Sequence, residues 1–380
     1  MNNKTAKTAS VEYTLPDING DRCVHALIET ASCQACVDIC PRNAWILDDE
    51  SLALDTSLCD ACGLCVPVCS EGAITQTKKC TIREEKHKKV LLVACEYSHT
   101  DTSFESGENQ WKCLHAISAS ELLMLYRDGI HQIFASRADC ENCPRGNCEH
   151  LYERLGKINM MLRHSHLPPL HYNELGIDQW YRLWQTPKKA APGPEMSRRM
   201  FFRSAIRRGV DMVLQQTSID ESQHDFRPLA KIISDLTDSG SDTGSGEAHP
   251  RAHSEELLFP AVPIINPANC TGCDTCVRAC PHAALRFKLE ENLAYYEIDA
   301  SNCTSCHICT DLCEENAINI LQWTSQTETS RTLCLNIQKC DSCGTVFHYP
   351  RLNPEDSPPR HLCNICEKVN HQKNLFQVLT

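Results

Sequence analysis

The residues in this chain with the most chemistry to offer are its cysteines, and they fall in runs. Cys270-x2-Cys273-x2-Cys276-x3-Cys280-Pro281 and Cys303-x2-Cys306-x2-Cys309-x3-Cys313 each have the spacing of a bacterial-type [4Fe–4S] ligand run. Three thiolates on one tight loop can hold three corners of a cubane cluster. The fourth cysteine lies too far along, and where two such runs occur together it ligates the cluster of the other run. The expected sets are therefore Cys270, Cys273, Cys276 with Cys313, and Cys303, Cys306, Cys309 with Cys280.

The front of the chain repeats this arrangement with one fault. Cys59-x2-Cys62-x2-Cys65-x3-Cys69 is complete, but the preceding run reads Cys33-x2-Cys36-x3-Cys40-Pro41, with Thr30 where its first cysteine should stand. Crossed wiring gives Cys59, Cys62, Cys65 and Cys40 for one cluster. The other has Cys33, Cys36, Cys69 and, through a longer loop, Cys23. The competing readings are that Cys23 is a buried free thiol, or that the site keeps three ligands and holds [3Fe–4S]. Four [4Fe–4S] clusters are expected in all.

Other cysteines group differently. Cys340-x2-Cys343-Gly344 and Cys363-x2-Cys366 form two knuckles that fit a four-cysteine zinc ribbon. Rubredoxin-type iron uses the same four thiolates, so the spacing does not name the metal. Between the lobes stand Cys95, Cys113, Cys140, Cys143 and Cys148. They are enough for one further centre, read as [2Fe–2S], as zinc, or as unmetallated thiols.

The elements that must position these residues are of two kinds. Around the runs, Pro-Arg-Asn-Ala-Trp-Ile-Leu after Cys40 parallels Pro-His-Ala-Ala-Leu-Arg-Phe after Cys280. Ser-Glu-Gly-Ala-Ile after Cys69 parallels Glu-Glu-Asn-Ala-Ile after Cys313. Each reads as a helical turn that leaves a cluster and enters a short strand, which predicts small pseudo-symmetric α+β units. Between them, Val90–Ala94 and 131–136 read as strands, and 119–126 reads as a helix. In 149–163, Leu151, Leu155, Ile158 and Leu162 share one helical face. That alternation predicts an α/β domain over a parallel sheet, with its cysteines beyond the carboxyl ends of the strands.

The expected layout is thus a ferredoxin-like lobe at 1–86, an α/β domain at 87–186 and a linker at 187–256. The linker would carry a basic amphipathic helix around Phe202–Val213 and a Ser/Gly-rich stretch at 238–247. A second 2[4Fe–4S] unit at 257–328 and a zinc-ribbon-like tail at 329–380 complete it.

Composition bounds the rest. The chain has 380 residues, room for about two to four domains. The 42% of apolar residues includes its 27 cysteines, so metal ligation must supply much of the folding free energy of the cysteine-rich lobes. The first residues lack the apolar stretch of a secretory signal, and no segment is long enough to span a membrane. Tight C-x2-C pairs in such a chain read as metal binding in a reducing cytoplasm, in an organism living at least partly without oxygen. A net charge of −12 argues against nucleic acid as partner and suits a basic face on a redox protein. The basic runs Lys78–Lys89 and Arg198–Arg208 read as solvated faces.

The Cys270–Cys313 segment resembles the bacterial 2[4Fe–4S] ferredoxin family, every ligand position matched. The Cys23–Cys69 segment resembles it apart from the displaced first ligand. Residues 88–175 are similar to the delta-subunit family of methyl-viologen-reducing hydrogenase through Val90–Cys95, Lys112-Cys113, the Cys140–Cys148 loop and the helix that follows. The loop departs from that family's cysteine–histidine pattern. The resemblance implies a soluble polyferredoxin-type subunit that relays low-potential electrons to a redox enzyme such as a hydrogenase, a molybdoenzyme or a heterodisulfide-reductase-like protein. The alternatives are a disulfide- or sulfur-compound reductase subunit using the Cys95–Cys148 site, and a redox-sensing or assembly factor. No dinucleotide or phosphate-loop glycine motif supports an enzyme acting alone.

Overall fold

The computed structural model describes residues 13–48, 51–85, 88–98, 110–146, 150–185, 216–219, 226–238, 258–290, 293–326, 330–352 and 360–373. The predicted basic helix around 202–213, the Ser/Gly stretch from 239 onward and Cys148 lie outside these residues.

The N-terminal lobe is built from very short pieces. β1 (Asp17–Ile18) pairs antiparallel with β4 (Ile74–Thr75), and β2 (Trp45–Leu47) forms a hairpin with β3 (Leu52–Leu54). One-turn helices α1 (Val24–Leu27) and α2 (Ala35–Asp38) sit in the cysteine loops. Its core of Trp45, Cys65, Val66 and Ile74 is backed by Cys36, Cys40 and Cys69, so cysteines fill space that aliphatic side chains occupy in an ordinary domain.

The middle unit is a sheet in the order β10-β5-β6-β8-β9, with β7 also on β6. Its strands are β5 (Lys78–Glu85), β6 (Lys88–Cys95), β7 (Gln110–Trp111), β8 (Ile130–Ser136), β9 (His171–Glu174) and β10 (Gln216–Ile219). β6, β7, β8 and β9 run parallel, as the alternation predicts. β5 and β10 are antiparallel additions. Only two residues separate β5 from β6, and so short a link permits only a hairpin. The basic run from Lys78 is thus part of a sheet and not simply a solvated face. Lys78 is itself buried and ion-paired with Glu121 at 2.6 Å.

β6 is a near-continuous apolar run because both of its faces are covered. Leu91 and Val93 face α3 (Ala119–Arg127) and α4 (His150–His164), while Leu92 and Ala94 pack on Trp180 of α5 (Ile177–Gln185). The predicted helical face holds: Leu151, Leu155, Ile158 and Leu162 are all buried. α3 begins with a capping box, Ser118 Oγ accepting from the Glu121 amide and Glu121 accepting from the Ser118 amide. Ser-x-x-Glu is the residue pattern of this motif. α6 (Leu229–Asp238) packs on α3.

In the second ferredoxin-type unit, β11 (Leu258–Ile265) and β14 (Ile318–Ser325) form a long antiparallel ribbon. β11 completes the unit's own core through Ala261 and Ile265. Phe259 and Val262 enter the core of the middle unit. Helices α7 (Thr275–Ala279) and α8 (Ile308–Asp311) lie in the cysteine loops. The hairpin β12 (Leu285–Glu290)–β13 (Leu293–Ile298) is extended by β15 (Thr332–Lys339) and β16 (Val346–Pro350) into one four-stranded sheet. The tail closes with α9 (Asn364–Lys373).

Candidate iron–sulfur centres and the tail metal site

Each cysteine run ends in the same turn. The residue three past the last cysteine is left-handed: Asn43, Gly72, Ala283 and Asn316, with φ of 48°, 57°, 51° and 49°. The next amide then points back at the sulfur. Ala44 N donates to Cys40 Sγ (3.4 Å), Ala73 N to Cys69 Sγ, Ala284 N to Cys280 Sγ and Ala317 N to Cys313 Sγ (3.2 Å each). Amides aimed at sulfur stabilise a thiolate and tune the potential of an iron–sulfur centre. A left-handed alanine costs roughly 1–2 kcal/mol, and at Ala283 that strain is retained. All four turns therefore fit a cluster ligand.

The entry loops separate the complete runs from the faulty one. In three of them the second and fourth residues after the first cysteine are left-handed: Ala61 and Gly63, Gly272 and Asp274, Ser305 and His307. The Cys33–Cys40 run has no such pair; Gln34 sits at φ −128°. The left-handed pair winds the loop around its first cysteine, so a run without that cysteine has nothing to wind around. His25 Nε2 instead lies 2.8 Å from the Cys33 carbonyl, tying the Cys23-Val24-His25 segment to this loop.

Members of each expected set lie near enough for their charges to act on one another. Burial pushes the Cys36 thiol up to about 12, with the charges of Cys69, Cys33 and Cys23 adding to it. Cys59 is raised by burial and by Asp60 and Cys40. Burial lifts Cys276 to about 12, with Cys270, Cys273 and Cys313 adding. Cys309 is likewise raised, by burial and then by Cys306, Cys303, Cys276 and Cys280. Thiols so placed stay protonated until a metal takes the proton's place.

The tail differs. Cys340, Cys343, Cys363 and Cys366 bring their sulfurs within 4.8 Å of one another, the span of ligands to a single ion. Backbone amides of Cys343 and Cys363 hold the Cys340 thiol down to about 6, the condition of a ready ligand. The tail is also docked on a cluster loop. Asp274, between Cys273 and Cys276, accepts from Tyr296 Oη (2.7 Å) and pairs with His348 Nε2 (2.8 Å), and Asn364 Nδ2 donates to the Thr271 carbonyl (3.1 Å).

In the middle unit Cys95, Cys113, Cys140 and Cys143 line one small pocket with His115, Arg137, Arg145 and Tyr172. Among the described residues these cysteines do not close into a single-ion group as the tail sulfurs do. His115, which sequence reasoning missed, is buried, and burial lowers it to about 4. Its Nδ1 accepts from the Leu151 amide, so the proton sits on Nε2, 3.4 Å from Cys140 Sγ. It is a donor to that sulfur. Arg145 was missed too; nothing in Cys143-Pro-Arg-Gly marked its partners, which come from distant loops.

Comparison with known proteins agrees with this geometry. Residues 269–317 match the family model of a 4Fe-4S dicluster domain, and residues 52–75 that of a 4Fe-4S binding domain. The chain therefore carries two 4Fe–4S ferredoxin-type domains. The second match begins after the Cys33–Cys40 run, whose entry loop is irregular. The chain is also similar to Hydrogenase-4 component A of Escherichia coli (strain K12), 27% identical over 111 residues, 29% of this chain and 47% of that protein. It thus spans about half the length of that relative. These matches support an iron–sulfur electron-transfer role. Among the described residues no helix is long and apolar enough to cross a membrane.

Proposed function

We propose that this protein is a polyferredoxin-type electron carrier or subunit that relays low-potential electrons to a redox enzyme. The observation that carries the reading is the exit turn repeated four times, each with an amide on the sulfur of the run's last cysteine. Four [4Fe–4S] clusters would be held by Cys23, Cys33, Cys36 and Cys69; by Cys40, Cys59, Cys62 and Cys65; by Cys270, Cys273, Cys276 and Cys313; and by Cys280, Cys303, Cys306 and Cys309. When bound, such clusters supply reversible one-electron storage. The protein's own part is to bury the thiolates, aim amides at them and fix their separations.

The tail thiolates would hold zinc as a structural ion. The Cys95–Cys143 pocket, with Cys148, would hold a fifth centre of the [2Fe–2S] kind, His115 donating to one of its sulfurs. The likeness to a hydrogenase component favours a hydrogenase-type partner among redox enzymes, reached by the acidic surface of a chain with a net charge of −12.

The test is anaerobic reconstitution with iron, sulfide and zinc counted per chain and EPR of the reduced form. About sixteen irons and one zinc are expected, rising to about eighteen with a [2Fe–2S] centre. Clusters that load but are not reversibly reducible would overturn the relay.

A further inference from the structure

The two ferredoxin-type units touch through residues that neighbour their cysteines. Glu71, two past Cys69, is 5% exposed. Its carboxylate accepts from His282 Nε2 at 2.7 Å and from Thr304 Oγ1. His282 is two past Cys280, and Thr304 follows Cys303. A carboxylate this buried is costly without such donors, so the contact holds only in one relative placement of the units. A second carboxylate makes the reciprocal link. Asp311, midway between Cys309 and Cys313, accepts from the Ser32 amide and hydroxyl, both at 2.9 Å, and Ser32 precedes Cys33. Phe226 closes the seam: its ring lies against Gly72 and 5.6 Å from the His282 ring.

We propose that Glu71 is a positioning residue that fixes an electron junction between the Cys33/Cys36/Cys69 centre of the first unit and the Cys280/Cys303/Cys306/Cys309 centre of the second. This rests on the relay reading above. The sequence places a long segment between the two units, yet the contacts make them one path. Electron transfer falls steeply with distance, so residues that set the gap set the rate. Glu71 also places a negative charge beside Cys303 and Cys306. That charge favours the oxidised form of a centre held there and lowers its potential.

The experiment uses the full chain, anaerobically reconstituted, as wild type, Glu71→Gln, Glu71→Ala, Cys36→Ser and Cys306→Ser. Iron per chain, EPR-monitored redox titration and spin–spin broadening of the reduced protein are recorded. Wild type is expected to show coupling between the units that either cysteine variant abolishes. Glu71→Gln keeps its iron and its coupling but shifts one midpoint upward. Glu71→Ala keeps its iron and loses the coupling. If the wild type loads and reduces its clusters but Glu71→Gln moves no midpoint and Glu71→Ala keeps the coupling, the junction is wrong and the relay stands. Coupling that survives a Cys306→Ser variant whose iron count shows that centre lost also refutes it. A wild type that takes up no iron overturns both.

Discussion

Arg145 Nε donates to Asp60 Oδ2 at 2.9 Å, joining the loop of Cys140 and Cys143 to the loop of Cys59 and Cys62 across 85 residues of sequence. The same guanidinium donates to Glu96 Oε2 (2.8 Å) and to the Lys112 carbonyl (2.6 Å), and its side chain is 3% exposed. Burial works against the Asp60 carboxylate, but the hydrogen bonds and charge of Arg145 outweigh it and hold that carboxyl below its usual range. Packing of Cys62 against Cys113 completes this seam. The middle unit is fixed to one end of the first ferredoxin-type unit, as Glu71 fixes the second unit to the other.

Arg145→Met is therefore expected to lower stability by about 2–4 kcal/mol, somewhat under the cost of breaking a fully buried pair, because Asp60 and Glu96 are partly solvated. Denaturant unfolding of the reconstituted protein measures it. A loss below about 0.5 kcal/mol, the level of an ordinary surface substitution, would show that the seam does not depend on this ion pair.

Gly272 and Gly344 give a paired comparison. Both are left-handed, with φ of 77° and 75°, but a Cβ on Gly272 would stand 2.4 Å from the His348 carbonyl oxygen, whereas the nearest atom at Gly344 is 3.7 Å away. Gly344→Ala is expected to cost roughly 1–2 kcal/mol, the backbone conformation alone. Gly272→Ala must also push β16 off the cluster loop, costing more than Gly344→Ala and exposing the tail to limited proteolysis. Equal effects would show that the tail does not bear on this loop.

Cys23→Ser tests the displaced ligand. The expected result is a [3Fe–4S] signal in the oxidised protein and loss of about one iron per chain. Cys334→Ser, a thiol on β15 outside every run, should leave iron and spectrum unchanged. Full iron content in Cys23→Ser would return Cys23 to the role of a free thiol.

Removing the tail metal with a zinc-selective chelator should leave iron content intact under anaerobic conditions. On exposure to air, the centre of Cys270, Cys273, Cys276 and Cys313 should then decay first, because His348 and Asn364 no longer cover its loop. Decay at the same rate with and without tail zinc would separate the two sites.

Much of the chemistry was legible in the residues themselves. Cysteine spacing is a local property, since three ligands on one loop must sit within a few residues of each other. The runs at 33–69 and 270–313 and the knuckles at 340–366 were therefore readable directly. So were β6, α3 and α4, whose apolar periodicity records which faces are covered. The fault at Thr30 was visible too; that its entry loop lacks the left-handed pair was not.

What joins the parts was decided only by the tertiary structure. Glu71, His282, Ser32, Asp311, Asp60 and Arg145 look like ordinary surface residues in sequence, because an ion pair or hydrogen bond between distant loops leaves no periodic trace. β5 was hidden for a related reason: its lysines resemble a solvated face, and only pairing with β6 and β10 and the buried Glu121 make them part of a sheet. Local spacing determined which atoms can hold metal. Long-range packing determined which cysteine loops face one another.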